Sequence, residues 1–137
     1  MTVIVCVCDG GGMLFSKRRV SRDKKVIEDV VSISDGVLFA TEYSAKLFFE
    51  SDASVIVADN PLALAGEGDF AFVEEHKISD FSQKISQLVI YRWNRKYPFD
   101  FSLDASPEGM GFVLAESCDF AGNAHEKITR EIWKRKV

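Results

Sequence analysis

The chain is poor in the residues that most readily announce a chemistry: two histidines, three cysteines and three prolines among 137 residues. His76 and His125 are too few to assemble the dense histidine cluster of a di-metal hydrolase. There is no Gly-x-Ser-x-Gly elbow, no Walker pattern and no Gly-x-Gly-x-x-Gly fingerprint. No apolar run approaches the ~20 residues that a membrane span needs, so no membrane partner is expected. The opening stretch Thr2 to Cys8 lacks a basic flank and meets Asp9 at once, which reads as a strand rather than a signal peptide.

Without an export signal, the cysteines are expected to be reduced thiols in the cytoplasm. Cys6 and Cys8 lie two apart on a strand, sharing a face with Cα atoms ~7 Å apart. That is beyond comfortable disulfide reach. Cys6, Cys8, Cys118 and His125 are the one set with Cys3His metal chemistry, but thiols in apolar strands read more simply as small buried hydrophobes. No metal and no cofactor are expected.

Apolar content of 47% and charge of 28% are ordinary for a globular protein, and the length suits one domain over residues 1–137. Residues 2–8 are β-branched and apolar, the pattern of a strand covered on both faces. Ser21 is placed to cap a helix, with Asp23 in its first turn and Val26, Ile27, Val30 and Val31 on one face. Asp35-Gly36 ends it. Strands follow at 37–40, 54–58 and 69–73, separated by a helix capped by Thr41 and a single turn after Pro61. Short helices between strands indicate a mainly parallel α/β sheet. Beyond residue 80 the pattern changes, with strands expected at 87–93, 98–104 and 111–116. A last strand is expected over 126–135, where Ile128, Arg130 and Ile132 alternate with Thr129, Glu131 and Trp133.

Net charge is −4, yet 14 of the 17 basic residues fall in three stretches, 17–25, 92–96 and 127–136. Those stretches contain only two acids, Asp23 and Glu131. If they meet, an acidic protein carries one basic face. The first stretch follows Gly10-Gly11-Gly12, whose backbone can approach an anion closely, and Met13-Leu14-Phe15, expected to be exposed. Arg18, Arg19 and Arg22 are candidate phosphate ligands. In Tyr91-Arg92-Trp93-Asn94-Arg95, the Trp93 ring can stack on a base while Arg92 and Arg95 fork to phosphate.

The order of elements resembles the dihydrofolate reductase fold. The resemblance is carried by the loop and helix around Asp23, by Val37 to Phe48, by Pro98 to Glu116 and by Glu126 to Arg135. It implies a carboxylate for a pterin ring at Asp23. The family's Gly-Arg grip on cofactor phosphate is Ala40-Thr41 here, and its Trp-Pro pair and paired-glycine turn are missing, which argues against hydride transfer. The whole chain also resembles a set of small bacterial proteins sometimes labelled ribonuclease Z. Tyr91 to Pro98, His125 to Thr129, Gly12 to Phe15 and Arg18-Arg19 carry this likeness. That label implies zinc-dependent processing of transfer RNA, for which the His-x-His-x-Asp-His cluster is missing.

These readings leave three function classes. The first is binding of a phosphate-bearing ligand, a nucleotide or RNA, through Gly10, Gly11, Gly12, Arg18, Arg19, Arg22, Arg92, Trp93 and Arg95. The second is an enzyme, either a metal-independent nuclease using His125 or a residual reductase using Asp23. The third is an interaction module that docks a protein partner through Met13, Leu14 and Phe15.

Overall fold

The computed structural model describes residues 1–136, leaving the final residue of the expected domain outside the described part. The chain opens with β1 (Thr2–Val7), β2 (Gly12–Phe15) and β3 (Arg18–Arg19), then the helix α1 (Lys24–Ile33). Next come β4 (Val37–Ala40), α2 (Glu42–Ala45), β5 (Ser54–Val57), α3 (Pro61–Leu64) and β6 (Phe70–Phe72). The remaining strands are β7 (Gln87–Arg92), β8 (Phe101–Ser102), β9 (Phe112–Phe120) and β10 (Ile128–Arg135), and short 3-10 helices lie at Lys46–Phe48, Ser79–Lys84 and Glu108–Met110.

Seven strands form one sheet in the order β5-β4-β6-β1-β7-β10-β9. The pairs from β5 to β7 are parallel, whereas β10 runs antiparallel to both β7 and β9. This is the expected mixed sheet with a closing antiparallel hairpin. β1 lies at its centre, and its side chains alternate between two cores as a two-residue period requires. Val3, Val5 and Val7 pack with Leu14, Leu88, Ile90 and Phe112 on one face. Ile4 and Cys8 pack with Val26, Val30, Phe72, Val89 and Tyr91 on the other, where α1 lies. Cys6 faces this second core too, as the spacing implies. No helix among the described residues is long and apolar enough to cross a membrane.

Three expectations are corrected. Residues 98–104 do not form a strand of the main sheet; only Phe101–Ser102 pair, and they do so with β2 in a separate three-stranded sheet. Met13 and Leu14 are buried within that packing, leaving only Phe15 exposed. The helix N-cap is Asp23 rather than Ser21: Asp23 is extended, with φ −153°, and its carboxylate accepts from the Lys25 N–H at 2.9 Å. An ionised cap two residues closer to the helix outcompetes the serine, because its charge also favours the dipole's positive end.

The glycine triplet turns the chain between β1 and β2. Gly10 and Gly11 take φ of +90° and +85°, and the Gly11 N–H is used within the turn, donating to the Cys8 carbonyl. The Gly11 N–H is thus spent within the turn. Gly12 is required for a different reason: a Cβ there would lie 2.3 Å from Cγ of Phe99. Gly12→Ala is expected to cost about 1–3 kcal/mol through overpacking. In urea unfolding, that loss should shrink only in part in the Phe99→Ala background, which removes the ring but keeps the Phe99 Cβ, 2.6 Å from the added methyl.

Candidate functional site

Parallel β1 and β7 end at the same edge of the sheet, and antiparallel β10 begins there, with Thr129 opposite Arg92. This topology gathers three loops that are far apart in sequence: Ser21–Asp23 before α1, Asn94–Tyr97 after β7, and Gly122–His125 before β10. Open α/β sheets commonly place ligands beyond the carboxyl ends of their strands.

Asp23 is the anchor of the cluster. Its Oδ1 accepts from the N–H groups of Lys25 (2.9 Å) and Asn123 (2.8 Å). Its Oδ2 accepts from the Ala124 N–H (2.7 Å) and from His125 Nδ1 (2.9 Å). Burial alone raises a carboxyl's pKa, but these four donors outweigh it and hold Asp23 down at about 2. Gly122 permits the approach, since a Cβ at that residue would lie 2.6 Å from Oδ2. The Gly122 N–H closes the turn onto the His125 carbonyl at 2.9 Å.

His125 is 5% exposed, and Trp93 stacks on its ring with centroids 4.7 Å apart. With Nδ1 donating to ionised Asp23, Nε2 is left as an acceptor. Two hydroxyls converge on it: Ser21 Oγ and Tyr97 Oη, each at 3.0 Å. They lie 3.2 Å from one another, and Arg95 Nη1 donates to Tyr97 Oη at 3.3 Å. Ser21 remains partly exposed and, with Arg22, Cys6, Glu74 and Trp93, lines a narrow cleft of about 10 Å³, room for little more than one water. A broader groove alongside α1 is lined by Arg22, Lys24, Lys46, Glu28, Glu50 and Asp52, among others.

Thus Asp23 and His125, singled out separately in the sequence, are in direct contact. The other candidates divide. Arg18, Arg22 and Arg95 are exposed. Arg19 is not free: it forks to Glu74 at 2.9 and 3.0 Å, with its guanidinium carbon 4.4 Å from the centroid of the Tyr43 ring. Arg92 pairs with Glu131 at 2.9 Å. Trp93 is 3% exposed and its ring faces His125, so it is not an open platform for a base. Aromatic–basic alternation on a strand puts the aromatics on the face that the sheet buries, which is why the stacking expectation fails here. The second and third basic stretches touch where the Asn94 amide donates to the Lys127 carbonyl; Arg130 pairs with Asp29, and Arg135 binds backbone carbonyls at the far end of β10.

Sequence reasoning missed Ser21 and Tyr97 as members of the cluster. Neither carries a motif, and the one local signal, a serine before a helix, pointed to capping. Glu74 was also missed; it is buried and accepts from Ser44 Oγ at 2.7 Å. Cys6 in the cleft is held as an unreactive thiol, its pKa raised by burial and then by Glu74. Cys118 is exposed on β9. Among the described residues, no group of three or more His, Cys, Asp or Glu side chains could hold a metal ion.

Sheet order, the helix against its central strands and the site at their carboxyl ends define a dihydrofolate-reductase-like fold. Among solved structures, the chain is similar to dihydrofolate reductase from Enterococcus faecalis, determined in complex with NADP(H) and RAB-propyl. The TM-score is 0.68 at 8% identity, covering 99% of this chain and 96% of the reductase. No family model matches the chain, and no curated protein matches it.

At Ala40-Thr41, where the resemblance put cofactor phosphate, Thr41 Oγ1 caps α2 and donates to the Glu75 carboxylate, with Glu42 in the first turn. Two acids at that place do not fit a dinucleotide phosphate.

The Asp23 bonds make stability depend on pH. Its folded pKa lies below its ordinary value of 3.8, so the contribution is present above pH ~4 and is lost as pH falls toward 2. Its size is roughly 2 kcal/mol. Urea unfolding of wild type and Asp23→Asn should differ most near pH 6 and converge as the pH approaches 2. A constant difference across that range would show that the carboxylate's charge is not what holds the loop.

Proposed function

We propose that the protein binds a phosphate-bearing ligand, a nucleotide or a short RNA, at the carboxyl edge of the sheet. The observation that carries this reading is the Ser21–His125–Tyr97 hydroxyl and imidazole cluster, with exposed Arg95 bonded to the Tyr97 hydroxyl and exposed Arg22 beside Ser21. Arg22 borders both the cleft and the broad groove, and Arg18 supplies a further exposed cation. Guanidinium groups beside hydroxyl donors suit phosphate oxygens. The reductase of similar fold was solved with NADP(H), which fits a nucleotide-sized ligand in this architecture. In this chain, however, exposed arginines lie at Arg18, Arg22 and Arg95, whereas Thr41 is bonded to an acid. Three free cysteines fit a reducing, cytoplasmic setting.

A second reading, an enzyme that uses His125, is favoured by the imidazole nitrogen aimed at two hydroxyls. A residual reductase using Asp23 draws no support, because all four lone-pair positions of that carboxylate already receive protein donors. Docking of a partner on Met13 and Leu14 draws none either, both being buried.

Fluorescence anisotropy with short RNA, and titration with nucleotides, test the reading. Affinity should fall with salt at a log–log slope of roughly −0.7 per phosphate contact on a single strand. The Arg22→Ala/Arg95→Ala double variant should lower both the slope and the affinity. Arg19→Ala should instead lower thermal stability, because it strands buried Glu74. No binding to RNA or nucleotides at low salt overturns the proposal.

A further inference from the structure

We propose that Ser21 is a nucleophile, activated by His125 and Asp23, and that the cluster hydrolyses acyl esters carrying an anionic group. The second part of this inference rests on the anion-binding reading of Arg22 and Arg95.

The geometry is that of a nucleophile, a base and an orienting carboxylate in hydrogen-bonded sequence. Ser21 Oγ lies 3.0 Å from His125 Nε2, and His125 Nδ1 lies 2.9 Å from Asp23 Oδ2. These are the contacts that acyl transfer by serine requires, and such a constellation is recognised by geometry rather than by sequence order. Each part is held in place. Three backbone N–H groups fix the carboxylate, which keeps it ionised and fixes the tautomer with the proton on Nδ1. Trp93 stacks on the imidazole and fixes its plane. Both members behind the nucleophile are buried, whereas Ser21 is partly exposed and lines the cleft. Exposure thus rises in the direction a substrate would approach.

Tyr97 has a separate task. Its hydroxyl lies 3.2 Å from Ser21 Oγ and receives a bond from Arg95. A phenol supported by a guanidinium beside the attacking oxygen is placed to donate to the carbonyl oxygen as negative charge develops there. Arg22, next to Ser21 on the same cleft, and Arg95, bonded to Tyr97, would hold a carboxylate or phosphate elsewhere on the substrate.

The steps balance without any co-reactant but water. Ser21 Oγ bonds to the acyl carbon as its proton passes to His125 Nε2. The ester C–O bond then breaks, and the leaving alkoxide takes that proton and departs as an alcohol. Water attacks the acyl-serine, gives a proton to Nε2, and releases a carboxylic acid as Ser21 recovers its proton. One histidine suffices, because it receives and returns a proton in each half.

The test uses the full chain and a fluorophosphonate probe, with intact-mass and peptide mass spectrometry. One phosphonyl group per chain on Ser21 is expected, and none in Ser21→Ala, whose far-UV circular dichroism should match wild type. Absence of labelling, or labelling on Tyr97 or another residue, overturns the nucleophile assignment. Turnover of 4-nitrophenyl acetate should fall by about 10²-fold or more in Ser21→Ala. It should fall by about 10²-fold in Tyr97→Phe, while the probe still reacts at Ser21 in that variant.

Substrate class is read by comparing neutral 4-nitrophenyl acetate with the 4-nitrophenyl monoester of succinate. A preference of about tenfold or more for the anionic ester is expected, as is its loss in Arg22→Ala/Arg95→Ala. Equal rates overturn the anionic substrate class while leaving the nucleophile standing. Nucleotide binding without Ser21 labelling refutes this inference but spares the ligand reading; labelling without nucleotide binding does the reverse.

Discussion

The Asp23 carboxylate is the interaction on which the edge of this molecule depends. One side chain caps α1, closes the Gly122–His125 turn and orients an imidazole. A carboxylate at a helix start is ordinarily a local device with one or two partners. Here it receives donors about 100 residues away in sequence, so the start of the first helix and the start of the last strand are fixed against one another. An ionised group with 3% exposure is tolerable only because every lone pair is matched.

The sheet explains why these groups meet. Both faces of β1 are covered, so its alternating Val and Ile side chains feed two cores and hold it at the centre of seven strands. Parallel neighbours bring their carboxyl ends to a common edge. β10 is antiparallel to β7, which delivers the loop before it to the same edge. The two outer strands, β5 and β9, are largely exposed and carry no part of the cluster. Similarity of the whole chain to a reductase at 8% identity shows how little sequence this arrangement demands. The fold is shared at an identity too low to carry any residue's role across, so architecture says nothing by itself about chemistry.

Charge tells a similar story. Clustering of cations in three stretches suggested one basic face, yet sheet alternation sends several of them to acids. Arg19 turns to Glu74, Arg92 to Glu131 and Arg130 to Asp29. These partners lie far along the chain or on neighbouring strands. The exposed cations without an acid partner include Arg18 on the two-residue strand β3, Arg22 and Arg95 in loops, and Lys17, Lys24, Lys96 and Lys127.

The local sequence by itself determined the elements. Apolar β-branched runs marked β1, β4 and β7; Asp35-Gly36 ended α1; Thr41 and Asn60 capped the short helices. The alternation of Ile128, Arg130 and Ile132 distinguished a strand from a helix over β10, because burial on one face leaves a trace with a period of two. Asp23 and His125 were legible as chemically capable residues, Asp23 through the resemblance and His125 as one of two histidines in the chain. Their contact was not legible, and neither were the roles of Ser21 and Tyr97. A hydrogen bond at 3.0 Å between residues 104 apart depends on register, strand direction and turn closure together. No local pattern encodes those three at once. Only the tertiary structure decided which serine caps nothing, which tryptophan lies inside and which carboxylate holds a histidine.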